Sequence, residues 1–151
     1  MVLKKEKYSE HFWSNEFDYV EPENSLLAVL EELRKKTGHA IIITSGPRTP
    51  KKHIEIYKDL EERGKLGDKK WYEAIPWSSR HLPAFGKKLR AVDINAIKIE
   101  NGIKSRYSGN EIYEFLKEIE IELDIKLGIG IGKTYCHIDS DREKSAVWYY
   151  S

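Results

Sequence analysis

The chain has one cysteine, Cys136, in 151 residues, which excludes an internal disulfide and any zinc site built on several thiolates. It also has little charge of either sign to spare: 26 Lys and Arg stand against 25 Asp and Glu, for a net +1. Binding a polyanion by counterion release needs a clustered cationic surplus, so nucleic acid is not an expected partner. No apolar run approaches the ~18–20 residues of a membrane span, and the charged stretch Met1 to Glu10 has no apolar centre of the kind a signal peptide carries. The expectation is a protein without a signal peptide, made in the cytoplasm, that meets an outside substrate only when released. Repeats, low-complexity tracts and Gly/Ser/Pro linkers are missing too, which predicts one domain over 1–151, expected as a monomer.

A hydrophobic share of 40% with 34% charged residues describes a soluble globule and not a disordered chain. Asn24 or Ser25 caps a predicted helix whose apolar residues Leu26, Leu27, Leu30 and Leu33 fall on one face, ending at Gly38. Ala40 to Thr44 is a short β-branched run that predicts a buried strand, and Ser45-Gly46-Pro47-Arg48-Thr49-Pro50 forces a turn. A second helix is predicted from about Lys51 to Arg63, turning Ile54, Tyr57 and Leu60 inward and stopping at Gly64. Residues Lys65 to Lys88 read as a long ordered loop.

Arg90 to Ile97 followed by Asn101-Gly102 predicts a hairpin. Ser108-Gly109-Asn110-Glu111 is a capping box, and Ile112, Phe115, Leu116 and Ile119 continue one helical face. Leu127 to Ile131, Tyr135 to Asp139 and Ala146 to Tyr150 read as closing strands, with Gly128, Gly130 and Gly132 admitting close neighbours. The predicted class is α+β: a mainly antiparallel sheet with two or three helices packed on one face.

Among the five histidines, His81 closes the long loop and His137 lies in a predicted strand; Asp93 opens another strand twelve residues after His81. Two imidazoles and a carboxylate suit zinc and leave a fourth position for water, the mark of a catalytic site. Asp93 is bracketed by Ala91, Val92 and Ile94 in a run expected to be buried, where an unpaired carboxylate costs several kcal/mol and a cation removes that cost. Taken singly, each of these residues also fits an ordinary hydrogen-bonded role.

Ser79-Arg80-His81, Ala91-Val92-Asp93 and the later His137 resemble the signature S-x-H, A-x-D and strand histidine of the zinc peptidases related to D-alanyl-D-alanine carboxypeptidases and phage L-alanyl-D-glutamate endolysins. The likeness extends over most of the chain: Ser9-Glu10-His11-Phe12 with Glu16-Phe17, the turn Thr44-Ser45-Gly46-Pro47-Arg48, and Gly128-Ile129-Gly130 ahead of His137-Ile138-Asp139 and Trp148. It implies a hedgehog-like metallopeptidase fold, zinc on His81, Asp93 and His137, and hydrolysis of a peptide bond in peptidoglycan stem peptides, as a carboxypeptidase or a phage-type endolysin. Arg48 then stabilises an oxyanion or holds a substrate carboxylate, or is a solvated turn residue. Ser79 binds the substrate or makes a local turn bond.

Two departures from that pattern stand out. Thr134 occupies the position where many relatives carry an acidic base, so Asp139, two residues beyond His137 on the same strand face, is the candidate base or the outer partner of that histidine; Asp141, His53 and Tyr135 are further candidates. The interval from His81 to Asp93 is longer than in relatives, with Pro83 to Lys88 expected to bulge outward. The alternative reading is a non-catalytic wall-binding or assembly module on the same fold.

Overall fold

Two helices and the sheet beneath them enclose the core, and the computed structural model describes residues 3–83 and 87–150. After a 3₁₀ turn at Ser14–Phe17 come helix α1 (Asn24–Thr37), strand β1 (Ile41–Ser45), helix α2 (Pro50–Glu62) and the single turn α3 (Trp71–Ala74). The second half supplies β2 (Ala91–Glu100), β3 (Ile103–Arg106), α4 (Gly109–Leu123), β4 (Gly128–Ile131), β5 (Cys136–Asp139) and β6 (Ala146–Tyr149). The α+β class is therefore correct. The sheet is mixed, however, and not simply antiparallel: it runs β1-β2-β5-β4-β6 with β3 on the far part of β2, and β4 pairs β6 in parallel.

α1 rests on β1 and β2, α4 on β4 and β5, and the two helices pack on each other. Leu26, Leu30 and Leu33 from α1 and Ile112, Leu116 and Ile119 from α4 meet Val92, Ile94, Ile129 and Ile138 of the sheet, all of them inaccessible to solvent. Burial on this scale, at ~1.5–3 kcal/mol per large aliphatic side chain, is what holds the layers together. α2 departs from the expected one-face arrangement. It packs on α3, buries only His53, and turns Ile56, Tyr57 and Leu60 to line a cleft over the opposite face of the sheet.

Local chemistry explains most boundaries. Ser108 Oγ accepts from Glu111 N at 3.1 Å while Glu111 Oε1 accepts from Ser108 N at 3.0 Å, so the capping box is made in full. Asn101 and Gly102 both take positive φ, 50° and 77°, as the two-residue turn between β2 and β3 requires. Gly38 ends α1 at φ 73°, but the N-cap is Glu23, one residue before the expected pair, and it makes no side-chain cap bond. β1 is an edge strand with alternating burial, not the buried strand its isoleucines suggest; Ile42 faces outward. The predicted long loop contains α3. Of the expected bulge at Pro83 to Lys88, residues 84–86 lie outside the described residues. Its far end is tied down by Leu89, whose N–H donates to Glu21 O at 2.9 Å and whose carbonyl accepts from Glu23 N at 2.8 Å.

Among the described residues, no helix is long and apolar enough to cross a membrane.

Candidate metal centre

Strand pairing delivers two of the three expected ligands side by side. Asp93 on β2 pairs with His137 on β5, and His137 pairs in turn with Gly130 on β4. Their strand neighbours Val92, Ile94, Cys136 and Ile138 point into the helix-covered core, so by alternation Asp93 and His137 rise from the other face. Cys136 is thereby removed from the site: its thiol donates to Gly109 O at 3.3 Å, and burial pushes it up to about 12.

The third expected ligand, His81, arrives on a loop that backbone contacts hold in place. The N–H of Arg48 donates to the His81 carbonyl at 2.7 Å, and His81 Nδ1–H donates to the Gly46 carbonyl at 2.7 Å. The turn Ser45 to Arg48, entered through a bulge between Ile43 and Ser45, therefore serves as the cradle of the His81 ring. Ser79 Oγ accepts from His81 N at 3.3 Å, the local turn bond, and Ser79 also faces the cleft.

His81 Nε2, His137 Nδ1 and Asp93 Oδ1 converge, with separations of 3.2 Å between the imidazoles, 3.5 Å from His81 to Asp93 and 3.1 Å from His137 to Asp93. A four-coordinate zinc with bonds of ~2.0–2.1 Å sets its ligand atoms about 3.3–3.4 Å apart, so the spacing fits such an ion. The tautomers fit as well. His137 Nε2 lies 2.6 Å from Asp139 Oδ2, and His81 Nδ1 faces a carbonyl, so each neutral ring carries its proton on the outer nitrogen. Two bare nitrogen lone pairs and a carboxylate oxygen then point at one another, an arrangement that only a cation or a shared proton stabilises. Burial alone raises the Asp93 carboxyl, but hydrogen bonds and charge from His137 and His81 outweigh it and hold Asp93 well below the ordinary carboxylate value. His137 is the converse case: burial lowers it, and Asp139 and Asp93 raise it further than burial takes it down.

Asp139 stands behind His137, away from the convergence point, and is 2% exposed. Arg142 forks onto both its oxygens and Arg80 Nε lies 3.7 Å away, with a resulting value of about 2 set by burial working upward and the His137 and Arg142 bonds working downward. So placed, Asp139 accepts from His137 Nε2 with both of its oxygens engaged by Arg142, the position of a group that orients the histidine from outside.

The cleft above the convergence point is lined by Arg48, Ser79, Ile56, Tyr57, Leu60 and Tyr150 together with His81, Asp93 and His137. Arg48 Nη1 donates to His53 Nδ1 at 3.4 Å, and its buried Nε–H has no partner among the described residues. His53 is fully buried, and its Nε2–H donates to Pro76 O at 2.9 Å. Burial and the Arg48 charge lower its pKa against the pull of that carbonyl, so it stands as a neutral acceptor. Tyr135 is not a cleft-lining residue; it stacks on Tyr150 with ring centres 5.6 Å apart. Asp141 is not brought to the site: it takes φ 63° and lies 3.6 Å from Arg90.

Sequence reasoning missed the Gly46 carbonyl and Arg142. A backbone acceptor leaves no side-chain signature, whereas Arg142, three residues beyond Asp139, was legible as a cation beside a candidate carboxylate. No family model, curated protein or solved structure matches the chain.

Proposed function

We propose that the chain is a zinc-dependent peptidase acting on peptidoglycan stem peptides, with His81 Nε2, His137 Nδ1 and Asp93 Oδ1 as the metal-binding atoms. The observation that carries this reading is the pinning of both outer imidazole nitrogens by acceptors, which leaves two lone pairs and a carboxylate facing one point at the base of an open cleft. Zinc bound there supplies a Lewis acid that brings water toward pKa ~7 and polarises a carbonyl. The substrate class comes from the ordered resemblance of Ser79-Arg80-His81, Ala91-Val92-Asp93 and His137 to the D-alanyl-D-alanine carboxypeptidase and endolysin peptidases, with the hedgehog-like fold that likeness implies.

The chain's own residues divide the work. Gly46 O and the Asp139 carboxylate hold the ligand tautomers. Arg48, anchored by the neutral His53, faces the cleft as a permanent cation suited to an oxyanion or a substrate carboxylate. Ile56, Tyr57 and Leu60 give one wall an apolar surface on which a peptide is held.

A second reading has its own support. Among the described residues lining the cleft, Asp93 is the only carboxylate, and Asp139 is turned away, so no free acidic side chain is in place as a general base. That favours a wall-binding module that keeps the centre without cleaving. Incubating purified peptidoglycan with the protein and zinc separates the two: new amine termini that vanish in His137→Ala support the peptidase, and sedimentation with the wall without new termini supports the module.

A further inference from the structure

We propose that Arg142 is a positioning residue for the metal centre, fixing His137 from behind by gripping the two groups its ring rests on, the Asp139 carboxylate and the Trp148 indole. The inference rests on the metal-centre reading above and adds a residue that touches none of the converging atoms.

Arg142 lies in the turn between β5 and β6. Its Nε and Nη2 donate to the two Asp139 oxygens, the Nη2 bond at 2.9 Å, so the carboxylate is held at both ends. A carboxylate gripped by a planar fork cannot rotate about its own axis without breaking one bond of the pair. Asp139 Oδ2 in turn accepts from His137 Nε2 at 2.6 Å, and turning that carboxylate would swing the imidazole and carry Nδ1 away from Asp93.

The second route runs through Trp148. The Arg142 guanidinium lies 5.7 Å from the centre of the Trp148 ring, and that ring lies 5.2 Å from the His137 ring. The guanidinium thus lies over the indole, and the indole lies against the imidazole with the two ring planes tilted by 47°, beside the hydrogen-bonded chain. Gly128 makes room for both: it pairs with Asp139 across the sheet, and a Cβ there would run into the Asp139 carboxylate and the Arg142 guanidinium.

Arg80 provides the contrast. It lies farther from Asp139, at 3.7 Å, and spends its donors on the carbonyls of Ser140 at 3.2 Å and Asp141 at 3.4 Å, tying the His81 loop to the end of β5. With Arg80 still present, loss of Arg142 does not leave Asp139 without a nearby cation, so the fold is expected to survive the substitution.

The test measures zinc affinity of the full chain by competition with a chromophoric chelator, for the parent, Arg142→Met, Asp139→Asn and the double variant, with thermal melting in EDTA as the fold control. Each single substitution is expected to weaken zinc by about 10–100-fold, the range for groups that orient a ligand. The double variant is expected to lose far less than the product of the two, because Arg142 acts through Asp139. Cobalt substitution adds a second readout: the visible ligand-field bands of the parent shift in Arg142→Met. Zinc affinity in Arg142→Met within about twofold of the parent overturns the proposal, as does a double-variant loss equal to the product. A parent that binds no zinc removes the metal reading itself, whereas a parent that binds with Arg142→Met unchanged removes only this inference. Should Arg142→Met not fold, Arg142→Gln carries the same comparison.

Discussion

His81 donates Nδ1–H to the carbonyl of Gly46 at 2.7 Å, across 35 positions of sequence, and this one bond sets which of its nitrogens faces Asp93. The matching bond on His137 comes from a carboxylate, Asp139, at 2.6 Å. One imidazole is therefore oriented by neutral backbone and the other by a charged side chain, and the two are expected to respond differently to substitution.

Zinc added to metal-free protein is expected to raise its stability by about 2.7 kcal/mol at a free concentration one hundred times its dissociation constant. For a chain of this length that corresponds to roughly 5–10 °C in Tm. Asp93→Ala abolishes the rise. Differential scanning calorimetry in EDTA and in buffered zinc reads both, and a parent Tm that zinc does not move would falsify the centre.

Which parts of this arrangement were legible in the sequence follows from how local each cause is. The Ser108 box and the Asn101-Gly102 turn are decided within four residues, and both form as read. Asp93 was marked out by its apolar neighbours, and strand alternation turned it to the face shared with His137. The parallel pairing of β6 on β4 is decided by sheet order, which no local pattern records. The edge position of β1 is likewise non-local, so its isoleucine run suggested more burial than it has. For α2, Tyr57 and Leu60 of the expected inward set line a cleft and not the core, joined by Ile56 and not by Ile54.

Gly109→Ala is expected to destabilise the protein by about 1–3 kcal/mol or more, although alanine is the better helix former. A Cβ at Gly109 would collide with the carbonyl of Gly132 and lie 2.9 Å from that of Tyr135, and backbone on the β4–β5 hairpin cannot swing aside as a side chain does. Gly109 N–H also donates to Lys133 O at 3.0 Å, so the start of α4 sits directly on the hairpin that presents His137. Gly38→Ala gives the comparison, since its Cβ would meet nothing within 4 Å and only its φ of 73° opposes the change. Urea unfolding of the two variants is expected to show the larger loss at Gly109; equal losses would contradict the steric argument.

Arg48→Met is expected to leave zinc binding intact and to lower wall cleavage by about 10²–10³-fold, the usual cost of removing one donor that meets developing charge. Arg48 faces the cleft but contacts none of the three converging atoms, which is why binding and turnover should separate. A loss confined to kcat assigns it to the oxyanion, and a loss confined to KM assigns it to a substrate carboxylate. Unchanged kcat and KM would return Arg48 to the role of a turn residue.

At the other end of the molecule, Glu31 on α1 ties down the N-terminal segment: it accepts from His11 N at 2.9 Å and from His11 Nδ1 at 2.7 Å. Burial raises this carboxyl, but the His11 backbone and side-chain bonds outweigh it, and its folded-state pKa is lowered. A depressed folded pKa means that the contribution is complete above the unfolded value, near 4.5, and is lost as pH falls through the folded one. Because the pair is partly exposed and screened, the effect is at most about 1 kcal/mol. Glu31→Gln is therefore expected to be less stable than the parent at pH 7, with the difference shrinking as the pH falls below the ordinary carboxylate range and through the lowered folded-state pKa. Urea midpoints of both proteins across that range check the sign, and a difference that stays constant with pH would show that the loss at pH 7 was steric.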